Sequence, residues 1–140
     1  MMRQIVLAML ALVALAQTSA PAACTGADPA IVSASAKSMT SDGQVNRYAV
    51  TVRVTNLGRR NQPSNLLQSV EIWQDGVKLD VKGLPPLKAG QSTSFTYMYQ
   101  RSADAGAGTT DLALKLTMRQ PSPPGNMDCN AGNDSATVTF

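Results

Sequence analysis

The stretch Tyr48–Thr55, which reads YAVTVRVT, decides the fold class of this chain. Apolar and polar residues alternate along it, as in a strand with one buried and one solvated face. Four residues are predicted to share the buried face: Tyr48, Val50, Val52 and Val54. Beyond residue 23, no segment shows apolar residues at helical spacing over three turns. The chain is therefore predicted to fold from strands.

The same period of two recurs along the sequence. We predict six further strands: Ala30–Ala36, Val70–Trp73, Val77–Val81, Ser94–Tyr99, Leu112–Met118 and Ala136–Phe140. Asp75 and Gly76 separate two of these runs, and this dipeptide favours the two-residue turn of a hairpin. About seven short strands in a chain of this length predict an all-β fold, an immunoglobulin-like two-sheet antiparallel sandwich.

The first 23 residues have the three parts of an export signal. Arg3 supplies a positive charge, residues 5–16 are almost entirely apolar, and small residues precede Cys24. The apolar run is too short to cross a bilayer about 30 Å thick. We therefore predict a signal peptide over 1–23 and a single domain over 24–140, periplasmic or secreted, with no transmembrane segment after cleavage.

Two cysteines, Cys24 and Cys129, lie near the two ends of the predicted mature chain. An even number of cysteines in an exported protein predicts a disulfide, which here would close a loop of about a hundred residues. A lipoprotein anchored through Cys24 is the alternative, because small residues precede this cysteine. Ordinary secretion is favoured, since Pro21 stands where a lipoprotein signal carries leucine.

The composition argues against several classes of function. The chain has no histidine, which excludes Ser-His-Asp and Cys-His catalysis and His-ligated zinc. The net charge is only +3, and the basic residues are scattered singly apart from Arg59 and Arg60. Nucleic-acid-binding proteins instead concentrate basic residues on one face. We predict no enzymatic activity, no cofactor and no nucleic-acid partner.

Three segments resemble the CARDB family, the cell-adhesion-related, immunoglobulin-like domains of bacterial exported proteins. Val50–Gly58 matches the pattern V-x-V-x-V-x-N-x-G, and Leu87–Ser92 matches L-x-x-G-x-S. Asn130–Val138 matches an Asn/Asp-rich segment before the last strand. The resemblance implies the fold and an exported setting, and it brings no catalytic or binding residue. The cysteine pair departs from most members.

A polar loop between the second and third predicted strands is the candidate partner-binding site. Its candidate residues are Arg59, Arg60, Asn61, Gln62 and Asn65. Loops at the ends of a sandwich commonly carry binding, and paired arginines can fork onto carboxylates or anionic sugars. The alternative is a solvated loop without a partner.

A second candidate is a calcium loop formed by Asp128, Asn130 and Asp134. Alternating Asp and Asn residues can supply the oxygen ligands that calcium needs. The segment departs from an EF-hand loop, because Gly132 falls one place early and no glutamate occupies the twelfth position. The favoured interpretation is that these side chains cap turns and that no metal is bound.

The aromatic residues are predicted to fill the core. Trp73 and Tyr97 are assigned to the space between the sheets, and Tyr99 is the one expected to reach the rim. The alternative is that these rings stack on sugars.

Together, these features predict an exported, non-enzymatic module that binds a protein partner in the envelope or medium, or that assembles there. Binding would use end loops or an exposed edge strand. Weak self-association is compatible with this function. The alternatives are a polymerising pilus-like subunit and an accessory carbohydrate-binding domain.

Overall fold

Within the described residues, seven strands form two antiparallel sheets, which confirms the predicted immunoglobulin-like sandwich. The structure is a computed structural model that describes residues 25–119 and 127–140. The predicted signal peptide and Cys24 lie outside the described residues. The strands are β1 (Pro29–Ser41), β2 (Val45–Asn56), β3 (Leu67–Gln74), β4 (Val77–Leu84), β5 (Ser92–Ser102), β6 (Asp111–Arg119) and β7 (Ser135–Thr139). A turn of 3-10 helix, Ala131–Asn133, precedes β7.

One sheet has the strand order β1-β2-β5 and the other has the order β4-β3-β6-β7. At one side of the sandwich, β1 lies against β7, and no comparable contact joins β4 to β5 at the opposite side. No helix within the described residues is long and apolar enough to span a membrane.

The period of two places the apolar residues between the sheets. Val50, Val52 and Val54 are fully buried, which confirms the face predicted from β2. Side chains of the facing sheet meet them: Val70, Ile72, Leu112, Leu114 and Leu116. Full burial of an aliphatic side chain of this size stabilises the fold by about 1.5–3 kcal/mol. This core therefore holds the two sheets together.

Strand β1 continues five residues beyond its predicted end at Ala36. Its second half, which reads KSMTS, lacks apolar alternation, but it pairs with β2 as far as Ser41 opposite Asn46. The turn that follows is closed by Asp42, whose Oδ1 accepts hydrogen bonds from the backbone of Gln44 and Val45 at 3.0 and 2.8 Å. Pairing with β2 therefore extends this strand where its own pattern gives no signal.

The prediction that Trp73 fills the core is wrong. Trp73 follows the buried Ile72, so strand alternation turns the indole to the outer face. There the indole Nε1 donates to Glu71 Oε2 at 2.9 Å, and the Nζ atoms of Lys78 and Lys115 lie 5.5 and 5.4 Å from the ring centroid. The tryptophan therefore belongs to a charged surface cluster.

The expected rim position of Tyr99 is also wrong. Tyr99 is 4% exposed, and its ring centroid lies 4.8 Å from that of Phe140 and 6.4 Å from that of Tyr48. Its hydroxyl donates to Gln74 Oε1 at 3.1 Å, which satisfies the polar atom at the end of the core. Tyr97 is half-buried and packs against the core, as predicted.

Gly58 allows the chain to turn closely after β2. A Cβ at this position would overlap the carbonyl oxygen of Gly26 and lie 2.6 Å from the amide nitrogen of Asp28. On either side of the glycine, Leu57 N donates to Asp28 O at 2.7 Å and Arg59 N donates to Gly26 O at 3.0 Å. The residues before β1 are therefore fixed against this turn by backbone bonds that need a residue without a side chain.

We expect Gly58→Ala to lower the free energy of unfolding by at least about 2 kcal/mol, because backbone atoms must move to admit the methyl group. Gly83→Ala is the matched control, since a Cβ there meets nothing within 4 Å. Urea denaturation of both variants checks this. Equal stability of the two would contradict the close approach at Gly58.

Candidate functional site

The predicted binding loop lies at one end of the sandwich, together with three other connecting segments. The arginine loop, residues 57–66, joins β2 to β3, and residues 85–91 join β4 to β5. Residues 25–28 lead into β1 at the same end, and residues 127–134 lead into β7. Antiparallel pairing brings these segments together, because β2, β4 and β6 all end here.

Asn56, the last residue of β2, joins three of these segments. It is fully buried, and its Oδ1 accepts hydrogen bonds from the backbone N–H groups of Asp28 at 2.9 Å and Gly58 at 3.0 Å. Its Nδ2 donates to the carbonyl oxygens of Arg60 at 2.9 Å and Leu87 at 3.1 Å. Every hydrogen-bonding position of the amide is therefore satisfied within the protein.

Gln62 provides a second internal anchor. It is 5% exposed, and its amide exchanges two 2.9 Å hydrogen bonds with the amide of Gln68. Its Oε1 also accepts from the backbone N–H of Leu87 at 2.8 Å. Gln62 was predicted to contact a partner, but the structure places its side chain inside the protein, where it holds the loop in shape.

The two arginines of the loop are the groups that it presents to solvent. Arg59 and Arg60 are exposed, and within the described residues neither guanidinium has an ion pair or a hydrogen bond. Asn65 is exposed as well. Asn61 is exposed, but its Oδ1 accepts from the backbone N–H of Ala89 at 2.9 Å, so part of this side chain also supports the loop.

The same end carries two further exposed cations. Lys88 lies in the β4–β5 connection, and Arg119 ends β6 opposite Leu67. Neither has an ion pair in the part of the chain that the structure describes. Leu57, at the start of the arginine loop, is 57% exposed. This end therefore presents basic side chains beside an exposed aliphatic one.

The predicted calcium residues lie next to this loop, in a carboxylate cluster formed by Asp28, Asp128 and Asp134. Burial, a hydrogen bond to Asp128, and the charges of Asp128 and Asp28 raise the pKa of Asp134 to about 8. Asp134 therefore keeps its proton at neutral pH. Asp28 is 7% exposed, and its Oδ1 accepts from Asn133 Nδ2 at 2.9 Å.

The side chains of the other two predicted calcium ligands accept hydrogen bonds from the backbone within turns. Asn130 Oδ1 accepts from Gly132 N at 3.1 Å, and Asp128 Oδ1 accepts from Asn130 N at 3.0 Å. Within 25–119 and 127–140, no group of three or more Cys, Asp or Glu side chains is arranged to hold a metal ion. Asp128 and Asn130 thus have the turn-capping geometry that the favoured interpretation expects of these side chains.

A groove of about 550 Å³ opens on the outer face of the second sheet, near the arginine loop. Its lining includes Leu67, Ser69, Glu71, Lys78, Thr117 and Arg119. Trp73 lies beside it, but two lysines lie over that indole, and Tyr99 is buried. Trp73 and Tyr99 therefore do not form a platform on which a sugar could stack.

Comparison with solved structures gives the fold a family context. The CARDB domain of the PF1109 protein from Pyrococcus furiosus, solved in complex with di-metal ions, superposes with a TM-score of 0.55. The match covers 84% of this chain and 90% of that chain. This chain has the CARDB fold.

At 14% sequence identity, the similarity to the PF1109 CARDB domain extends to the fold alone. No family model matches this sequence, and no curated protein matches it. The CARDB fold is nevertheless the one that Val50–Gly58, Leu87–Ser92 and Asn130–Val138 predict. The first two of these segments meet at Asn56, whose amide bonds the carbonyl oxygen of Leu87.

We expect Asp134 to make stability depend on pH. Its pKa is about 8 in the folded protein, against an ordinary value of 3.8, so folding retains a proton that the unfolded chain has lost. The contribution of Asp134 to stability should therefore be largest below pH 3.8, decrease as the pH rises towards about 8, and level off above it.

Thermal unfolding of wild type and Asp134→Asn across this range tests the effect. The variant should be the more stable protein above pH 8, and the difference between the two should shrink towards pH 4. Asp104→Asn, at an exposed position in the β5–β6 connection, is the control. A difference in melting temperature that does not change with pH would contradict the raised pKa of Asp134.

Proposed function

We propose that this chain is an exported, non-enzymatic module that binds an acidic surface of a protein partner through the arginine loop. The observation that carries the proposal is the contrast between the loop's fixed backbone and its unpaired side chains. Asn56 and Gln62 hold the backbone from within, while Arg59 and Arg60 are exposed without an ionic partner among the described residues.

A fixed loop favours binding because association orders flexible groups at a cost. Immobilising a side chain in an interface costs about 0.5–1.5 kcal/mol, and ordering a mobile backbone adds to that. Here the backbone of Arg59 and Arg60 is already bonded to Gly26 O and to Asn56 Nδ2. Only the two arginine side chains remain to be ordered by a partner.

The charges at this end favour a carboxylate-bearing partner. Arginine can donate two parallel hydrogen bonds to one carboxylate, a geometry that lysine lacks. Lys88 and Arg119 add positive charge at the same end. These four cations outnumber the three acids of the neighbouring cluster, of which Asp134 holds a proton and Asp28 is buried. Association should therefore weaken with salt.

Charge reversal of the loop tests this proposal. Arg59→Glu/Arg60→Glu should weaken binding to a partner captured from the envelope or medium of the native host at least roughly tenfold, through loss of charge-assisted hydrogen bonds. The matched control is Lys37→Glu/Arg53→Glu, which makes the same change in net charge on exposed positions of β1 and β2.

Binding of the purified partner should be measured by calorimetry at low and high salt. A partner that binds the loop variant as tightly as wild type, or whose affinity is independent of salt, would overturn the proposed site. Equal weakening by both double variants would indicate a general charge effect in place of the arginine loop.

We also propose that the exported protein contains a disulfide between Cys24 and Cys129. Cys129 N donates to Ala27 O at 2.9 Å, and Ala27 is only three residues beyond Cys24. Three residues span at most about 11 Å, a reach that supports the proposed pairing of the two cysteines. Such a bridge would stabilise the fold by about 4–5 kcal/mol in the chain-entropy model.

Intact mass of the protein from its native host should therefore correspond to a chain that begins near Ala23. Two thiols should become alkylatable only after reduction. Unreduced protein treated with the same reagent is the control. A lipid-modified Cys24, together with a Cys129 that reacts without reduction, would contradict the disulfide and favour a membrane-anchored lipoprotein.

A further inference from the structure

The two sheets have four edge strands, and three of these edges are protected against pairing with another chain. Exposed edges offer unpaired backbone N–H and C=O groups, and proteins protect them with charges, irregular register or short length. Strand β7 has only five residues. Strand β1 carries Lys37, shifts register at two places, and lies against β7.

Strand β4 is protected by charges on its core-facing side. Asp80 lies opposite the buried Ile72, and Lys82 lies opposite the buried Val70. Their side chains form an ion pair at 3.2 Å. The pairing with β3 also shifts register beside Leu79. A strand added to this edge would meet both an irregular backbone and inward-pointing charges.

Strand β5 lacks these protections. It pairs with β2 over eleven positions without a register shift, and it contains no proline. From Ser92 to Gln100 it has no charged residue, and Arg101 comes only at its end. It is therefore the one edge among the described strands that is long, regular and uncharged over most of its length.

The hydrogen bonds at the two ends of the β2–β5 ladder show which backbone groups are unpaired. Asn56 N donates to Gln91 O, and Ala103 N donates to Gln44 O. Both bonds follow the same register, in which odd-numbered residues of β5 bond to β2. The backbone groups of the even-numbered residues therefore point to the free edge: Ser94, Thr96, Met98 and Gln100.

Met98 adds an exposed apolar side chain to the strand with the free edge. It is 56% exposed on β5. Strand β5 borders the side of the sandwich where no contact comparable to that of β1 with β7 joins the sheets. An exposed apolar residue on an unpaired edge strand favours pairing with a second strand.

We propose that β5 pairs antiparallel with β5 of a second copy of this chain. A two-fold axis at Tyr97 places Thr96 opposite Met98 of the second copy, and Phe95 opposite its Tyr99. No like charges face each other in this register. The pairing uses the same surface twice, so it closes as a dimer with a continuous six-stranded sheet.

A second copy is favoured over a charged partner strand because the edge presents no charge to recognise one. The proposed dimer surface is also separate from the arginine loop, which lies at the end of the sandwich and not along this edge. The dimer therefore does not depend on the proposed partner binding. Arg59→Glu/Arg60→Glu should dimerise as wild type does, so the two proposals can fail independently.

Sedimentation equilibrium of the purified protein, from micromolar to millimolar concentration, tests the dimer. Wild type should show a concentration-dependent monomer–dimer equilibrium. Thr96→Pro should shift it towards monomer at least roughly tenfold, because proline removes a free-edge N–H without breaking a bond to β2. Thr96→Val, which keeps that N–H, should dimerise as wild type. A wild type that stays monomeric at millimolar concentration would overturn the proposal.

Charged substitutions at Thr96 test the dimer even if the proline variant does not fold. Thr96→Lys and Thr96→Glu both keep the free N–H, and each should weaken its own dimer through repulsion between side chains near the two-fold axis. An equimolar mixture of the two should form a heterodimer with near wild-type affinity. If the mixture associates no better than either variant alone, β5 does not pair with itself.

Discussion

The hydrogen bonds of the Asn56 side-chain amide are the interactions on which this end of the protein depends. Its four hydrogen bonds join the entry to β1, the arginine loop and the β4–β5 connection. A buried amide stabilises a fold only when all its positions are satisfied, since an unpaired polar group costs about 1–3 kcal/mol. The three segments therefore hold one another in place. Together with the backbone bonds of Leu57 and Arg59, this side chain fixes the close turn at Gly58 and the start of the arginine loop.

Much of the fold could be predicted from the sequence, because the alternation of apolar and polar residues along a strand shows which of its faces is buried. From Tyr48 to Val54 in β2 and from Leu112 to Met118 in β6, every second residue is apolar and faces the core, so the pattern identifies strand and face together. The end of β1 could not be found in this way, because KSMTS has no apolar face and becomes a strand by pairing with β2. Trp73 was misplaced by an analogy with other sandwiches, although strict alternation from Ile72 would have placed it outside.

The candidate site was less predictable, because its residues act over long distances in the sequence. Arg59 and Arg60 could be identified, since a charged pair in a polar loop is visible locally. Gln62 resembles them in composition, but its partners Gln68 and Leu87 become neighbours only in the fold. The raised pKa of Asp134 arises first from burial in the folded protein, then from Asp128 nearby, and also from Asp28, about a hundred residues away. The signal that could have distinguished Asn56 was the motif V-x-V-x-V-x-N-x-G, which ends the strand with a buried amide.

The direction of the strands has a mechanical consequence. β1 begins at the end of the sandwich that carries the arginine loop, and β7 finishes at the opposite end, where Thr139 lies beside Asp111. A pulling force applied at these two points would act along the strands and at right angles to the hydrogen bonds of the antiparallel ladders. The many bonds between β1 and β2 would then be loaded together and could not open one at a time. The strand directions therefore predict a domain that resists tension applied along its strands.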